Sequence, residues 1–436
     1  MTASPRRVYL NFVGCRLNEA EIERMARQFA ARGDSIAGSA SEADLVVINT
    51  CAVTSGAERK SRQMVLQAGR MNPEARIVVT GCYAQLEPEA LARLPHVDQV
   101  ISNFDKDNLV PLVAGDPVPE YEQEPLVREA WGGRILPPGT LRHTRAFVKA
   151  QDGCDNHCAF CVTRLVRGAG RSRPLEILVD EINLLLGSGY QEIVLTGVHL
   201  GSYGRDLGDP HGLFHLVRAI LERTAVPRLR LSSLEPWDLT PAFFDLWRDP
   251  RLCPHLHLPL QAGCDATLRR MVRRTTRDSF AALVEAARVR IPDLALTTDI
   301  IVGFPGETDA EFEESRRYVE SIGFARLHVF PYSARPGTAA ARMPGQVAEA
   351  VKRGRSAEML ALSERLWRGF QAAHVGRTFD VLWESAHGAT PDGWVWSGLT
   401  ETSLRVVATS REHLANTITP ARIIGVGEEA ARAIPI

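Results

Sequence analysis

Short apolar runs alternate with amphipathic stretches from Arg7 to Tyr332, and that alternation limits the chain to a few architectures. In the first hundred or so residues the runs are RVYLNFVG, ADLVVINT, ARIVVTG and DQVIS. Between them lie amphipathic segments at Asn18 to Ala31, Ser55 to Met71 and EPEALARL. Apolar runs this short, without regular polar alternation, read as parallel strands covered on both faces. Strands alternating with helices predict a doubly wound α/β sheet.

A second series follows: RAFVKAQ, EIVLTGV, RLRLSSLE, HLHLPLQ, LTTDIIVGF and RLHVFPY, with helical stretches such as PLEILVDEINLLLGSG and DAEFEESRRYVESIG between them. Six consecutive β/α units predict a full or partial (β/α) barrel, with its site at the C-terminal strand ends. The stretch between the series is rich in Pro, Gly and charge, and reads as a linker. A helical tract from Val347 to His374 then leads to RTFDVLWESA, GWVWSGLT and SLRVVAT, short runs split by turns that predict a small β-barrel. The expected division is 1–115, a linker at 116–141, a barrel domain at 142–374 and a β-barrel module at 375–436.

Composition adds exclusions. The 436 residues are 45% hydrophobic and 24% charged, with a formal net charge of -1, so no global basic bias points to nucleic acid. The start MTASPRRVYL is too polar for a secretory signal, and no apolar run is long enough to span a bilayer. The expectation is a cytoplasmic protein without a membrane partner. In that reducing compartment the eight cysteines are ligands, catalysts or core residues before they are disulfides.

Three of them form the run Cys154-x3-Cys158-x2-Cys161 where the first barrel strand ends. Three thiolates on one tight loop can ligate three irons of a [4Fe-4S] cube and leave the fourth open to a ligand. A structural zinc site would need four closed ligands. His157 lies inside the loop and reads as a spacer. The alternative is three buried cysteines, which the spacing and the strand-end position oppose.

The motif resembles the radical S-adenosylmethionine (SAM) superfamily, and other strand ends agree. Asp299-Ile300-Ile301-Val302-Gly303-Phe304-Pro305-Gly306-Glu307 resembles that family's late-strand motif beside the adenine. Thr196-Gly197-Val198 ends the second strand, and Ser232-Ser233-Leu234-Glu235-Pro236 ends the third. The resemblance implies that the open iron binds SAM, whose reductive cleavage yields a 5'-deoxyadenosyl radical. It also implies SAM contacts from Gly197, Ser232, Glu235, Gly303 and Arg173.

Cys15, Cys51 and Cys82 are far apart in sequence but equivalent in topology. Each follows a predicted parallel strand and precedes a helix. In an open α/β sheet that edge is where ligands bind, and helix N-termini favour thiolates. One such cysteine would pass for a small core residue; three at matching positions read as a second three-thiolate [4Fe-4S] site. Cys253 and Cys264 fall outside both sets.

Val13-Gly14-Cys15-Arg16-Leu17-Asn18, Ile48-Asn49-Thr50-Cys51-Ala52-Val53 and Thr80-Gly81-Cys82-Tyr83-Ala84-Gln85 resemble the N-terminal domain of the methylthiotransferases. Those enzymes join this domain to a radical SAM barrel and a C-terminal β-barrel called TRAM, the order expected here. The segments around Cys15, His199-Leu200-Gly201-Ser202-Tyr203-Gly204, Leu231 to Pro236 and Arg142 to Ala146 are similar to the branch acting on N6-threonylcarbamoyladenosine in tRNA. The other branches modify isopentenyladenosine in tRNA or an aspartate of a ribosomal protein.

The resemblance implies 2-methylthiolation of adenosine 37 in a tRNA anticodon loop, with no catalytic residue beyond the cluster ligands. Cys154, Cys158 and Cys161 would hold the cluster that cleaves SAM; Cys15, Cys51 and Cys82 would hold the one that carries sulfur. A flavodoxin or ferredoxin would supply electrons. Unstacked loop bases suit such a pocket. Arg167, Arg171, Arg173, Arg269, Arg270, Arg273 and Arg274 are candidate phosphate contacts. Rival readings are a radical SAM enzyme acting on protein, an electron carrier, and a cobalamin-binding radical SAM enzyme. Electron carriers close all four irons, and His96, the one histidine before residue 140, does not follow a strand at the ligand edge.

Overall fold

The computed structural model describes residues 5–116, 136–140 and 144–436. Most of the expected linker, together with Arg142 and His143, therefore lies outside the described residues.

The first sheet is parallel and five-stranded, in the order Ser35–Ile36, Arg7–Phe12, Leu45–Thr50, Arg76–Gly81 and Val97–Val100. Two apolar layers sandwich it. Val46, Ile48, Ile77 and Val79 pack on one face, while Leu45, Val47, Val78, Val8 and Leu10 pack on the other. All six residues of Leu45–Thr50 are buried, which is why its sequence shows no alternation. The two-residue strand Ser35–Ile36 is too short to leave a pattern.

The second unit has six parallel strands. Arg145–Asp152, Glu192–Gly197 and Arg228–Leu231 form one ladder, and His255–His257, Ala295–Val302 and Arg326–Pro331 another. Parallel bridges at Leu229–Leu252 and Ser233–His257 join them into a partial barrel. The helix Arg16–Ala31 of the first unit lies along the first barrel strand. Ala20 packs with Phe147 and Val194, and the Phe147 N–H donates to Glu23 Oε2 at 3.1 Å. This helix is not simply amphipathic: Asn18, Glu19, Glu21, Glu23 and Arg27 are buried with its apolar residues.

The chain ends in a closed five-stranded β-barrel, ordered Thr378–Thr390, Gly393–Thr400, Arg405–Ser410, Ala431–Pro435, Ile418–Gly425. The helix Glu349–His374 leads into it. The β-barrel caps the bottom of the (β/α) barrel. There Glu192 holds Arg228 and Arg230 at 2.9 and 2.8 Å, and Arg230 donates onward to the Thr400 and Glu401 carbonyls.

A buried charge network fills the seam between sheet and barrel. Glu21 meets Lys106 at 2.7 Å, Arg167 at 2.9 Å and Lys149 at 3.6 Å. Burial alone would raise the Glu21 pKa, but Arg167, Lys106 and Lys149 override it and bring the value down to about 2. A carboxylate depressed in the fold contributes stability that is present above its ordinary value of 4.5 and is lost as pH falls toward 2. We expect Glu21→Gln to destabilise the protein by about 3–5 kcal/mol, because three cations lose their shared partner. Denaturant unfolding across that acid window measures it, and the variant's stability should be flatter with pH there than the native protein's.

Candidate functional site

The Cys154–Cys161 loop is built by close backbone contact. Gly153 has φ +70, and a Cβ there would lie 1.9 Å from the Ala169 carbonyl oxygen. The Cys154 N–H donates to Gly168 O at 3.1 Å, and the Ala159 N–H to Met271 O at 3.0 Å. Donors converge on the sulfurs: Asn156 N–H on Cys154 and Thr163 N–H on Cys161, both at 3.4 Å, and the Arg273 guanidinium on Cys158 at 3.6 Å. Burial pushes the Cys158 thiol up and the Cys161 thiol to about 11. Those two free thiols are thus neutral, and a bound metal would take them as thiolates.

All three cysteines line an open cleft at the barrel's C-terminal end, with Val198, Ser233, Glu235, Gln261, Asp299 and Arg273. Gln261 has φ +73, backbone strain at the cleft wall. Arg273 pairs with Glu235 at 2.6 Å and lies 4.4 Å over the Trp237 ring.

The other three cysteines converge at the C-terminal edge of the sheet. Gly14 has φ +116, and a Cβ there would sit 2.8 Å from Cys51 Sγ. Gly81, with φ +98, leads into the helix Cys82–Leu86 while passing against Asn49 and Thr50. The Asn18 amide donates to Val13 O at 2.7 Å and Thr50 O at 3.1 Å, tying the loops before Cys15 and Cys51 together. Burial, with Cys15 and Cys82 nearby, pushes the Cys51 thiol to about 12. Cys15 is exposed, so the set opens to solvent on one side.

Among the described residues, no three His, Cys, Asp or Glu side chains converge as ligands of a single metal ion. A cube, in contrast, places each thiolate on a different iron, which suits thiols set around a common space.

The description "Uncharacterized protein family UPF0004" matches residues 7–102, and "Radical SAM superfamily" matches 148–319. The chain is 36% identical over 427 residues to a threonylcarbamoyladenosine tRNA methylthiotransferase of Bacillus subtilis, covering 96% of this chain and 94% of that one. The chain belongs to the methylthiotransferase family of radical SAM enzymes. A Thermotoga maritima relative of the same name is 39% identical, with 80% of each chain covered. A tRNA-2-methylthio-N(6)-dimethylallyladenosine synthase of Novosphingobium aromaticivorans is also 39% identical, with 90% of each covered. Among solved structures, the radical SAM methyltransferase TsrM of Kitasatospora setae, with cobalamin and a [4Fe-4S] cluster bound, superposes with a TM-score of 0.56 over 77% of each chain. At 16% identity that likeness is one of fold. Membership in this family implies SAM and a [4Fe-4S] cluster as cofactors.

Of the residues expected at SAM, Glu235 lines the cleft. Ser232 Oγ is buried without a partner, as is Thr196 Oγ1, and the neighbouring Ser233 lines the cleft. Gly197 packs against Gln151 and Leu200, and its neighbour Val198 is the lining residue. Gly303 has φ +70 and is pressed against Lys352 of the last helix, while Asp299 from the same strand reaches the cleft. Arg173 is corrected outright: it donates to Glu181 at 2.7 Å and to Lys149 O at 2.9 Å, away from the cleft.

The candidate phosphate contacts divide similarly. Arg167 and Arg273 are buried, so the structure removes them and the inward-turned Arg173 from the RNA set, while the half-buried Arg270 pairs with Glu311. Arg171, Arg269 and Arg274 are exposed. Cys253 and Cys264 are buried away from both sets, Cys264 donating to Glu314. His96 precedes the strand Val97–Val100, at the end opposite the thiols.

One side chain at the loop has no site role in the sequence reading, where it figures only in the branch resemblance. His199 is buried, bonded to Asp238 and within 3.3 Å of the Asn156 amide. Burial would lower its pKa, but Asp238 and the Cys154 sulfur raise it to about 9. Only the fold brings Cys154, His199 and Asp238 together.

Gly153→Ala forces a positive-φ side chain into the Ala169 carbonyl. The expected result is a folded protein that has lost the iron bound by this loop, read by iron analysis and the charge-transfer absorbance of the reconstituted enzyme.

Proposed function

We propose that the enzyme converts N6-threonylcarbamoyladenosine at position 37 of tRNA to its 2-methylthio derivative. The observation that carries this reading is the end-to-end match to the threonylcarbamoyladenosine enzyme of Bacillus subtilis, with all six cysteines at the C-terminal ends of two parallel β systems. In this reading Cys154, Cys158 and Cys161 hold the SAM cluster, and Cys15, Cys51 and Cys82 hold a second [4Fe-4S] cluster. When bound, the clusters and SAM supply radical chemistry at an unactivated C–H bond, which acid–base groups cannot perform at neutral pH.

The protein's own contribution is placement. Arg273 and Glu235 border the SAM cleft and fix its polar wall. The helix Arg16–Ala31 holds the sheet edge against the barrel, so the two cysteine sets share one rigid support. Arg171, Arg269 and Arg274 are the exposed side chains left to meet RNA phosphate. The reading includes an electron donor of the flavodoxin or ferredoxin class and a cytoplasmic location. It also keeps the division into 1–115, a linker at 116–141, 142–374 and a TRAM-like 375–436. No helix among the described residues is long and apolar enough to cross a membrane.

Nucleoside mass spectrometry of tRNA from a deletion strain tests the substrate. 2-Methylthio-N6-threonylcarbamoyladenosine should vanish and return on complementation. Loss of 2-methylthio-N6-isopentenyladenosine instead would move the enzyme to the activity named for its Novosphingobium relative. Complementation with Cys15→Ala should restore none of the product, while the purified variant still cleaves SAM to 5'-deoxyadenosine. Loss of SAM cleavage as well would remove the separate roles given to the two cysteine sets.

A further inference from the structure

The segment Val166–Ala169 touches both cysteine sets at once. On one side, Gly168 O accepts from Cys154 N–H, and Ala169 O closes over Gly153. On the other, Val162 and Val166 pack in the same apolar cluster as Cys82, and Asn103 donates to Val166 O at 2.7 Å. Between them the Arg167 side chain runs back into the sheet domain. It is 3% exposed. Its guanidinium donates to Asp152 and Glu21 at 2.9 Å each and to Asn18 Oδ1 at 2.8 Å. The same Asn18 oxygen is 3.9 Å from Cys15 Sγ, and the Asn18 amide binds the backbone just before Cys51. Arg167 is thus one hydrogen-bonded residue away from the Cys15 thiol, is tied through Asn18 to the backbone before Cys51, and neighbours Val166, which packs with Cys82.

Arg24, Lys106, Lys149 and Arg167 face Glu21, Asp107 and Asp152, with Glu181 also beside Arg24. A buried cation is costly unless neighbouring anions offset it. The Cys15, Cys51 and Cys82 thiols adjoin this seam. A cube held by three thiolates carries a net negative charge and fits that need.

We propose that Arg167 is a positioning residue for the second cluster: the radical SAM loop supplies, through this side chain, the counter-charge of the thiolates on the sheet. The inference rests on the reading that Cys15, Cys51 and Cys82 hold a [4Fe-4S] cluster. It makes charge at the sheet site depend on the docking of the barrel loop, so the second cluster is stabilised only in the assembled chain. Reduction adds negative charge to a cluster, and a buried cation beside it favours the reduced form. Loss of Arg167 therefore moves the midpoint potential to more negative values, and a lysine keeps it.

The test uses full-length protein in two backgrounds. Cys154→Ala/Cys158→Ala/Cys161→Ala leaves only the second cluster, and Cys15→Ala/Cys51→Ala/Cys82→Ala leaves only the first. Each is reconstituted anaerobically, assayed for iron and sulfide, and titrated by EPR with Arg167→Gln or Arg167→Lys added. The expected result is a negative shift of the second cluster's midpoint, or selective loss of its iron, in Arg167→Gln. Arg167→Lys should lie near the parent, and the first cluster should shift less. Equal effects on both clusters, no effect on either, or equal failure of the lysine and glutamine variants would overturn the counter-charge role. If the first background binds no iron even with Arg167 intact, the second cluster itself is refuted, a result distinct from an iron-bound parent that ignores the substitution.

Discussion

Glu21 sits on a helix with no free face, and the rest of the molecule is arranged around that fact. Its carboxylate is shared by three cations, one from the sheet domain and two from the barrel. An ionised group in an apolar seam is tolerated only when it is paired and hydrogen-bonded. The barrel therefore cannot shift along the sheet without breaking a bonded set that includes Asn18, Asp152 and Arg167. Apolar contact alone would tolerate sliding; directed bonds to charged groups fix one register. Two cofactor sites that must face a common substrate need such a register.

The same reasoning explains what could be read from the residues. The strands and the strand-end cysteines were legible because parallel strands buried on both faces leave apolar runs, and the turn after each run is where a ligand edge lies. The run Cys154–Cys161 was legible because a tight loop keeps its ligands close in sequence. The last two strands of the C-terminal barrel, Ile418–Gly425 and Ala431–Pro435, are not legible in the sequence: Pro420 and the exposed Ile424 blur the alternation of the first, and the second is only five residues.

The arginines show where reading a sequence stops. Arg167, Arg171 and Arg173 are spaced as a basic stripe, and a stripe suggests phosphate. In the fold, Arg167 and Arg173 turn inward to Glu21 and Glu181, carboxylates far away in sequence or one helix onward. Arg273 does the same with Glu235. Helical or strand periodicity could not announce these pairs, because each joins separate elements. The buried acids on Arg16–Ala31 were the available signal: Glu19, Glu21 and Glu23 on one helix, facing an apolar core, require cations from elsewhere.

Placement at strand ends likewise fixes a neighbourhood more tightly than a residue. Gly197, Ser232 and Gly303 each lie next to, or on the same strand as, a residue that lines the cleft: Val198, Ser233 and Asp299. A one-residue offset at a strand end reverses the direction of the side chain, so motif position can select the right loop and the wrong atom. The cysteines escape this ambiguity because three of them must converge on one space, and the positive-φ glycines before Cys15, Cys82 and Cys154 allow the chain to make that convergence. What motif position leaves open at the cleft wall, the demand for convergent ligands closes at the cysteines.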